Sequence, residues 1–309
     1  MDKPILELHT EVEGWFKFEA ISEDGTKRVL ADWFPNLITD QGLNQMGTLA
    51  TWLNACQVGS GSTVPAVSDT QLVTLVAGTT TVQSTIKGIQ SIPPYYASRT
   101  MTYRFAAGVA TGTLSEVGVG ITATVGNLYS RALILDGTGT PTTLTILSTE
   151  TLDVTYQCRY YVPTVDLTGS ILLRTTTHAW TSRACRCTAI GYWWYNAGGQ
   201  AENTSAGAGA APLFFGGLTA AIAAIESYPT GTSYTGVTIT WASYINNSFY
   251  TDATITAGLT IGNNAAGLGA VRLNLGIGTY QIGFVPNIMK TSSDILVLVV
   301  RHSWGRKTI

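Results

Sequence analysis

The stretch LDVTYQCRYY, residues 152–161, sets Leu152, Val154, Tyr156, Cys158 and Tyr160 at alternate positions, with Asp153, Thr155, Gln157 and Arg159 between them. Successive side chains of a strand point to opposite faces, so a period of two predicts a strand with one buried and one solvated face. The same pattern recurs in TMTYRF (Met101, Tyr103, Phe105), in VTITW (Val237, Ile239, Trp241) and in DATITAGLTIG (Ile255, Ala257, Leu259, Ile261). Threonine fills many of the outward positions, where its β-branched shape suits a pleated surface.

Turn signals lie between these runs: EDGT at 23–26, LDGTGTP at 135–141, YPTGT at 228–232 and GNNAAG at 262–267. Short strands with closely spaced turns predict sandwiches or barrels. One segment carries a helical period. In TDQGLNQMGTLATWLN, residues 39–54, Leu43, Met46, Leu49, Ala50 and Leu53 follow 3.6-residue spacing, with Thr39 as N-cap and Asp40 in the first turn. Gly42 and Gly47 each cost this helix about 0.5–1 kcal/mol relative to alanine, so tertiary packing must hold it. LTAAIAAIES, residues 218–227, reads equally as a short helix or a strand. The expected fold is mainly all-β: two antiparallel β-sandwich-like domains, with one short helix in the first.

A length of 309 residues suits about two domains. YYVPTVDLTGS, residues 160–170, breaks a strand at Pro163, and the charge changes there: residues 1–166 carry 15 acids and 9 bases, residues 167–309 carry 4 acids and 8 bases. The boundary is placed near Asp166, giving domains 1–166 and 167–309. Charged residues make up only 12% of the chain, against 45% hydrophobic. Disorder is excluded by that balance, and a surface so poor in charge fits partial cover by partners or by copies of the same chain. Neither half makes a basic stripe for nucleic acid. The longest apolar run, ILVLVV at 295–300, is far too short for a membrane helix, so no membrane insertion is expected. MDKPILELHTEVEG lacks an apolar signal core, which points to synthesis in a cytoplasm.

Each chemically suggestive cluster has a simpler reading. CQVGSGSTVPAVSDTQL, residues 56–72, looks like a phosphate cradle, but it has no lysine, and Pro65 breaks any following helix. Turn glycines explain it. The cysteines Cys56, Cys158, Cys185 and Cys187 form no disulfide framework, and ACRC with nearby His178 lacks the spacing and second pair of a metal site. Only His9, His178 and His302 could serve a nucleophilic triad, and no G-x-S-x-G elbow accompanies them. For glycoside hydrolysis the second half offers Glu202, Glu226, Asp252 and Asp294, unpaired by spacing. No catalytic residue, cofactor or metal is assigned. In GYWWYNAGGQ, residues 191–200, Tyr192 and Trp194 share one strand face and Trp193 and Tyr195 the other, so one pair is free to stack on a sugar or anchor an interface. These four are the candidate receptor or partner surface.

Read in order, GWFKFEAISEDGTKRVLADWFPNLITDQGLNQMG, CQVGSGSTVPAVSDTQL, GTLSEVGVG with LYSRALI, and TLDVTYQCRYY resemble a group of tailed-bacteriophage virion proteins described as tail-fibre, baseplate or tail-associated. An N-L-I-T-D-x-G-L helix start, a V-G-x-G-x-x-x-P turn and an L-S-E-V-G strand recur there in this order. The likeness covers residues 14–161, and the stretch from Gly267 to Lys307 is similar to the closing part of some longer members. It implies a structural, non-enzymatic part of a phage tail. Such a part would be made in the host bacterial cytoplasm and placed in the virion, where it contributes to assembly and host attachment. Its partners would be copies of itself, as a trimer or ring, other virion tail proteins, and a host surface glycan or protein. The first domain would dock to the virion and the second face partners or host. Capsid decoration, a collar protein, and a receptor-binding or polysaccharide-degrading tail spike are the alternative roles. Asn36, Gly42, Gly59, Gly61 and Pro65 are expected to be turn and cap devices, and Leu114, Val117, Val119 and Leu128 to be core.

Overall fold

The computed structural model describes residues 5–48, 52–90, 92–161, 165–185, 213–214, 216–217, 229–234, 236–275 and 278–307. Along the chain the strands are β1 (Ile5–Ile21), β2 (Lys27–Pro35), β3 (Leu37–Ile38), β4 (Ala55–Gly59), β5 (Leu75–Thr79), β6 (Val82–Gln90), β7 (Tyr96–Phe105), β8 (Gly112–Leu114), β9 (Glu116–Gly120), β10 (Leu128–Leu133) and β11 (Leu144–Ile146). They continue as β12 (Thr151–Tyr161), β13 (Leu167–Leu173), β14 (Thr176–Cys185), β15 (Leu213–Phe214), β16 (Ser233–Tyr234), β17 (Thr238–Trp241), β18 (Tyr250–Ala257), β19 (Leu268–Leu275), β20 (Gly278–Ile288) and β21 (Leu296–Arg306). One helix, α1 (Asp40–Thr48), stands between β3 and β4. The protein is all-β apart from that helix. No described helix is long and apolar enough to cross a membrane.

The chain forms two compact units. Unit I comprises residues 1–11, 91–95 and 161–305; unit II comprises 12–90, 96–160 and 306–309. Strand β1 passes from one to the other between Glu11 and Val12.

In unit II one sheet orders β1, β12, β7 and β6, with β2 also paired to β1, and the other orders β3, β10, β9, β4 and β5. They face each other across a core of large side chains. Tyr129 of β10 brings its hydroxyl 3.5 Å from the Cys158 sulfur of β12, and Phe16 of β1 packs 4.8 Å from Tyr156, ring centre to ring centre. Such burial of alternate aromatic residues from facing sheets makes a sandwich core. Unit I repeats the plan. Strands β17, β18, β21 and β1 form one sheet, and β13, β14, β20, β19, β15 and β16 the other. Tyr280 of β20 reaches β1, its hydroxyl 2.7 Å from the Thr10 hydroxyl, and its ring lies 6.1 Å from that of His302 on β21.

The inward sets expected on β12 and β7 are buried, as are Leu114, Val117, Val119 and Leu128. The outward set on β12 differs from expectation: Asp153 and Thr155 are buried too. Arg104 of β7 grips Asp153 with two bonds of 2.7 Å, Thr102 meets Thr155 at 3.2 Å, and Gln157 donates to Thr100 at 3.0 Å. Cross-strand partners thus replace water on that face. In the other deviation β18 ends at Ala257, and Leu259 lies beyond it, 48% exposed.

The helix is shorter than its sequence period. It ends at Thr48, residues 49–51 lie outside the described set, and Leu53 is buried without being helical. The expected turns at 23–26 and 135–141 are present, with Ser22 N–H bonded to Thr26 C=O and Asp136 N–H to Thr140 C=O. LTAAIAAIES, Pro163 and the aromatic run Tyr192, Trp193, Trp194 and Tyr195 lie outside the described residues, as do Glu202 and Glu226.

Candidate functional site

Two buried charges of unit II, Glu116 and Arg131, converge on the loop between β4 and β5. Glu116 begins β9, a strand whose five residues are all buried, and its carboxylate is fully enclosed. An ion so placed is tolerated only when its oxygens are saturated. Here they are. Oε1 accepts from the backbone N–H groups of Gly61 (2.9 Å) and Thr74 (2.8 Å), and Oε2 accepts from Val73 N–H (3.1 Å) and from Arg131 Nε (3.0 Å).

Arg131, on the neighbouring strand β10, is 1% exposed. Its Nη1 donates to Asp69 at 2.6 Å and its Nη2 to Thr63 C=O at 2.8 Å. Asp69 in turn accepts Ala66 N–H at 2.9 Å. Ser115 completes the clamp, donating from its hydroxyl to Gly61 C=O at 2.8 Å and from its N–H to Gly59 C=O.

The glycine-rich loop therefore is an anion cradle, occupied by the protein's own carboxylate. Its backbone N–H groups converge on an oxyanion much as a phosphate loop does, but the anion is Glu116. Gly59 and Gly61 are needed for that approach: a Cβ on Gly61 would sit 2.3 Å from Glu116 Oε1, and one on Gly59 2.4 Å from Thr74 C=O. Neither has a positive φ, so close contact, not turn geometry, selects glycine there.

Helix α1 is tied to the same place. Thr39 caps it, accepting Gly42 N–H at 2.9 Å, while its hydroxyl donates to Leu128 C=O at 2.9 Å. Asp40 N–H bonds Val67 C=O of the clamped loop, and Asn36 donates to the Ser130 hydroxyl at 2.7 Å. Gln57 of β4, fully buried, pins the next loop by donating toward the carbonyls of Thr122, Thr124 and Gly126. Beside the clamp lies a shallow groove of about 230 Å³ lined by Pro35, Leu37, Val64, Pro65, Leu133 and Leu135, with Val64 74% exposed.

Unit I holds a larger pocket, about 710 Å³, lined by Leu173, Arg174, His178, Met289, Lys290 and Asp294 among others. Its charged side chains and His178 are engaged by neighbouring groups. Arg174 pairs with Asp294, which also accepts the N–H and hydroxyl of Thr291. Lys290 donates to Asn263 Oδ1 at 2.8 Å, and burial holds its ammonium below the ordinary lysine pKa. His178 Nδ1 donates to Pro286 C=O at 2.6 Å.

The remaining catalytic candidates are also structurally engaged. Asp252 is held by Arg301 in two bonds of 2.9 and 3.0 Å. His302 is buried, its Nε2 3.0 Å from the Thr10 hydroxyl. His9 Nδ1 lies 2.8 Å from the Ser303 hydroxyl, which also lies 3.2 Å from Leu8 C=O. Burial lowers the His9 pKa against the pull of nearby Glu11. Among the described residues no cluster of three or more His, Cys, Asp or Glu side chains could hold a metal ion.

Sequence reading missed the Glu116–Arg131 pair as a device, though a signal existed: one acid and one base, each alone in a wholly buried apolar strand. The register sets Arg131 opposite Gly118 and Leu133 opposite Glu116, making the charged residues diagonal neighbours on one face. No protein-family model, curated protein or solved structure matches the chain.

Proposed function

We propose that the chain is a non-enzymatic structural protein of a tailed-bacteriophage virion, placed in the tail as a fibre, baseplate or tail-tip component. It assembles with copies of itself and with other tail proteins, and contributes to host attachment through a weakly charged face on residues 167–309. The observation that supports this is the meeting of the resembling segments at one buried node. Glycine loop, LSEVG strand and LYSRAL strand supply Gly61, Glu116 and Arg131, joined through hydrogen bonds of 2.9–3.0 Å, and the helix start supplies Thr39, whose hydroxyl bonds the Leu128 and Tyr129 carbonyls of the same LYSRAL strand at 2.9 and 3.3 Å. A pattern of residues whose polar groups all satisfy one another specifies a rigid framework, as a building block repeated in an assembly requires.

Immunogold labelling of the virions that carry this gene tests the reading, with an antibody against the recombinant chain. Gold on the tail is the expected result. Gold on head hexamers or at the neck moves the protein to decoration or collar, and unlabelled virions remove it from the particle altogether. Loss of phage adsorption in Trp193→Ala or Trp194→Ala, with unchanged far-ultraviolet circular dichroism, is the expected mark of the attachment role.

A further inference from the structure

Sheet edges show their unpaired N–H and C=O groups to any strand that arrives, and monomeric proteins guard them with charge, proline, bulges or brevity. The described edge strands of this chain follow that rule with one exception. β6 carries Lys87 and a register shift between Val82 and Ser84, and β5 is five residues long with a shift at its own pairing. β2 holds Lys27, Arg28, Asp32 and Pro35, β17 has four residues, and β3 and β16 have two each.

The exception is β13, LTGSILL. It pairs with β14 through seven consecutive residues without a bulge and has no charge and no proline. No described strand lies on its outer edge. Thr168, Gly169, Ser170 and Leu172 are exposed, Leu172 at 61%.

We infer that β13 is a self-association strand: two copies of the chain pair antiparallel along it, about a two-fold axis at Ser170. The flanking charges select this partner and this register. Asp166 precedes β13 and Arg174 opens the turn after it, so each lies four residues from Ser170. Antiparallel pairing centred there brings Asp166 of one copy beside Arg174 of the other, at both ends of the contact. Between them Leu167 faces Leu173, Thr168 faces Leu172, and Gly169 faces Ile171. Ser170 faces its own copy.

Each charge already has a partner within its chain, Arg183 for Asp166 and Asp294 for Arg174, and the Asp166 and Arg174 side chains remain 35% and 66% exposed. The pairing thus joins two ion pairs into a four-member row at each end, and brings no like charges directly opposite. A two-fold centred on a residue also keeps donors opposite acceptors along the ladder, as an isologous interface requires. The β13 sheets of the two copies become one continuous sheet. The inference rests on the proposed role only for self-assembly.

Sedimentation velocity of the full chain is expected to show a concentration-dependent monomer–dimer equilibrium. Cysteine cross-linking under mild oxidation then reads the register, since directly opposed Cβ atoms lie about 4.5–5.5 Å apart. Ser170→Cys is expected to give a covalent dimer on a non-reducing gel beyond that of the parent protein. Thr168→Cys alone is not, whereas Thr168→Cys mixed with Leu172→Cys is. Ser170→Lys, which opposes two ammonium groups, is expected to weaken the dimer at least tenfold with unchanged circular dichroism. A parent chain that stays monomeric, or a trimer or larger ring in solution, overturns the inference. So does a Ser170→Cys protein that cross-links no better than its parent, or a Thr168→Cys protein that cross-links as well as Ser170→Cys. A cross-linked dimer together with unlabelled virions would reject the tail role and leave the strand pairing standing.

Discussion

Glu116 shows how one side chain can turn an apparent ligand loop into a structural one. Three backbone N–H groups and a guanidinium surround its carboxylate, which is itself fully buried. Glu116→Gln leaves Arg131 buried with Asp69 as its remaining ionic partner and turns an amide NH2 toward groups that are all donors. Breaking a buried pair from one side costs about 3–5 kcal/mol, so the urea midpoint should fall steeply. Adding Arg131→Met should recover part of that loss, because the second change removes the stranded charge; a Glu116→Gln loss under ~1 kcal/mol would show the clamp to be dispensable. The buried cysteines make a second prediction at this scale. Burial pushes the Cys158 thiol up to about 11 and the Cys56 thiol higher still, and both are free. The thiolate is the reactive form, so at pH 8 a disulfide reagent should titrate at least two fewer thiols in the native protein than in guanidinium. Equal counts would mean that the core opens readily. The place of Cys158 in the core was legible from its alternate position in LDVTYQCRYY, whereas Cys56 lies in a strand buried on both faces, where no alternation marks it. The carboxylate in the cradle was not legible, because Glu116 and Gly61 are distant in sequence and only the pairing of β4 with β9 brings them together.

Helix α1 was legible by its period and cap, and the tertiary packing that its glycines were expected to require is visible at Gly42. Gly42 lies against β10, and a Cβ there would come within 2.1 Å of Tyr129 C=O. Propensity alone predicts that Gly42→Ala gains about 1 kcal/mol in a helix interior. The contact predicts the opposite sign, since the helix must lift from the strand and strain of this kind costs about 1–3 kcal/mol. Thermal unfolding of Gly42→Ala decides between them, with a lowered midpoint expected; a raised one would mean that the helix can shift without loss. Thr39→Ala should also destabilise, by at least the ~1 kcal/mol of an ordinary cap, because the same hydroxyl bonds Leu128 C=O. For strands, the period of two gave existence and inward face well in β7 and β12. It failed for the outward face of β12, where Asp153 and Thr155 are covered by partners on β7. Alternation reports which residues avoid water, and a polar residue paired across strands satisfies that condition as well as an apolar one.

For the whole molecule, composition and turn spacing disclosed the all-β class, while the way each unit gathers its strands needed long-range pairing that no local pattern carries. Unit I includes the first part of β1, whose Leu6, Leu8 and Thr10 are buried, and Thr10 holds both Tyr280 and His302. Unit II takes in Arg306, which bonds Ile38 C=O and the Asp40 carboxylate, and Lys307, whose N–H bonds Val12 C=O. A cut in the chain between Asp166 and Leu167 therefore deprives each fragment of residues that its own unit uses. Fragment 167–309 loses two buried leucines and the hydroxyl bonded to Tyr280, and filling such gaps is worth several kcal/mol. Expressed alone it should lack the near-ultraviolet circular dichroism of packed aromatic rings. Fragment 1–166, which keeps the whole clamp and most of its core, should fold with a lowered midpoint. Mixing the two should restore the aromatic signal in the 167–309 fragment, since the missing strand then returns in trans. A fully cooperative, native-like 167–309 fragment on its own would show that the β1 contribution to unit I is peripheral.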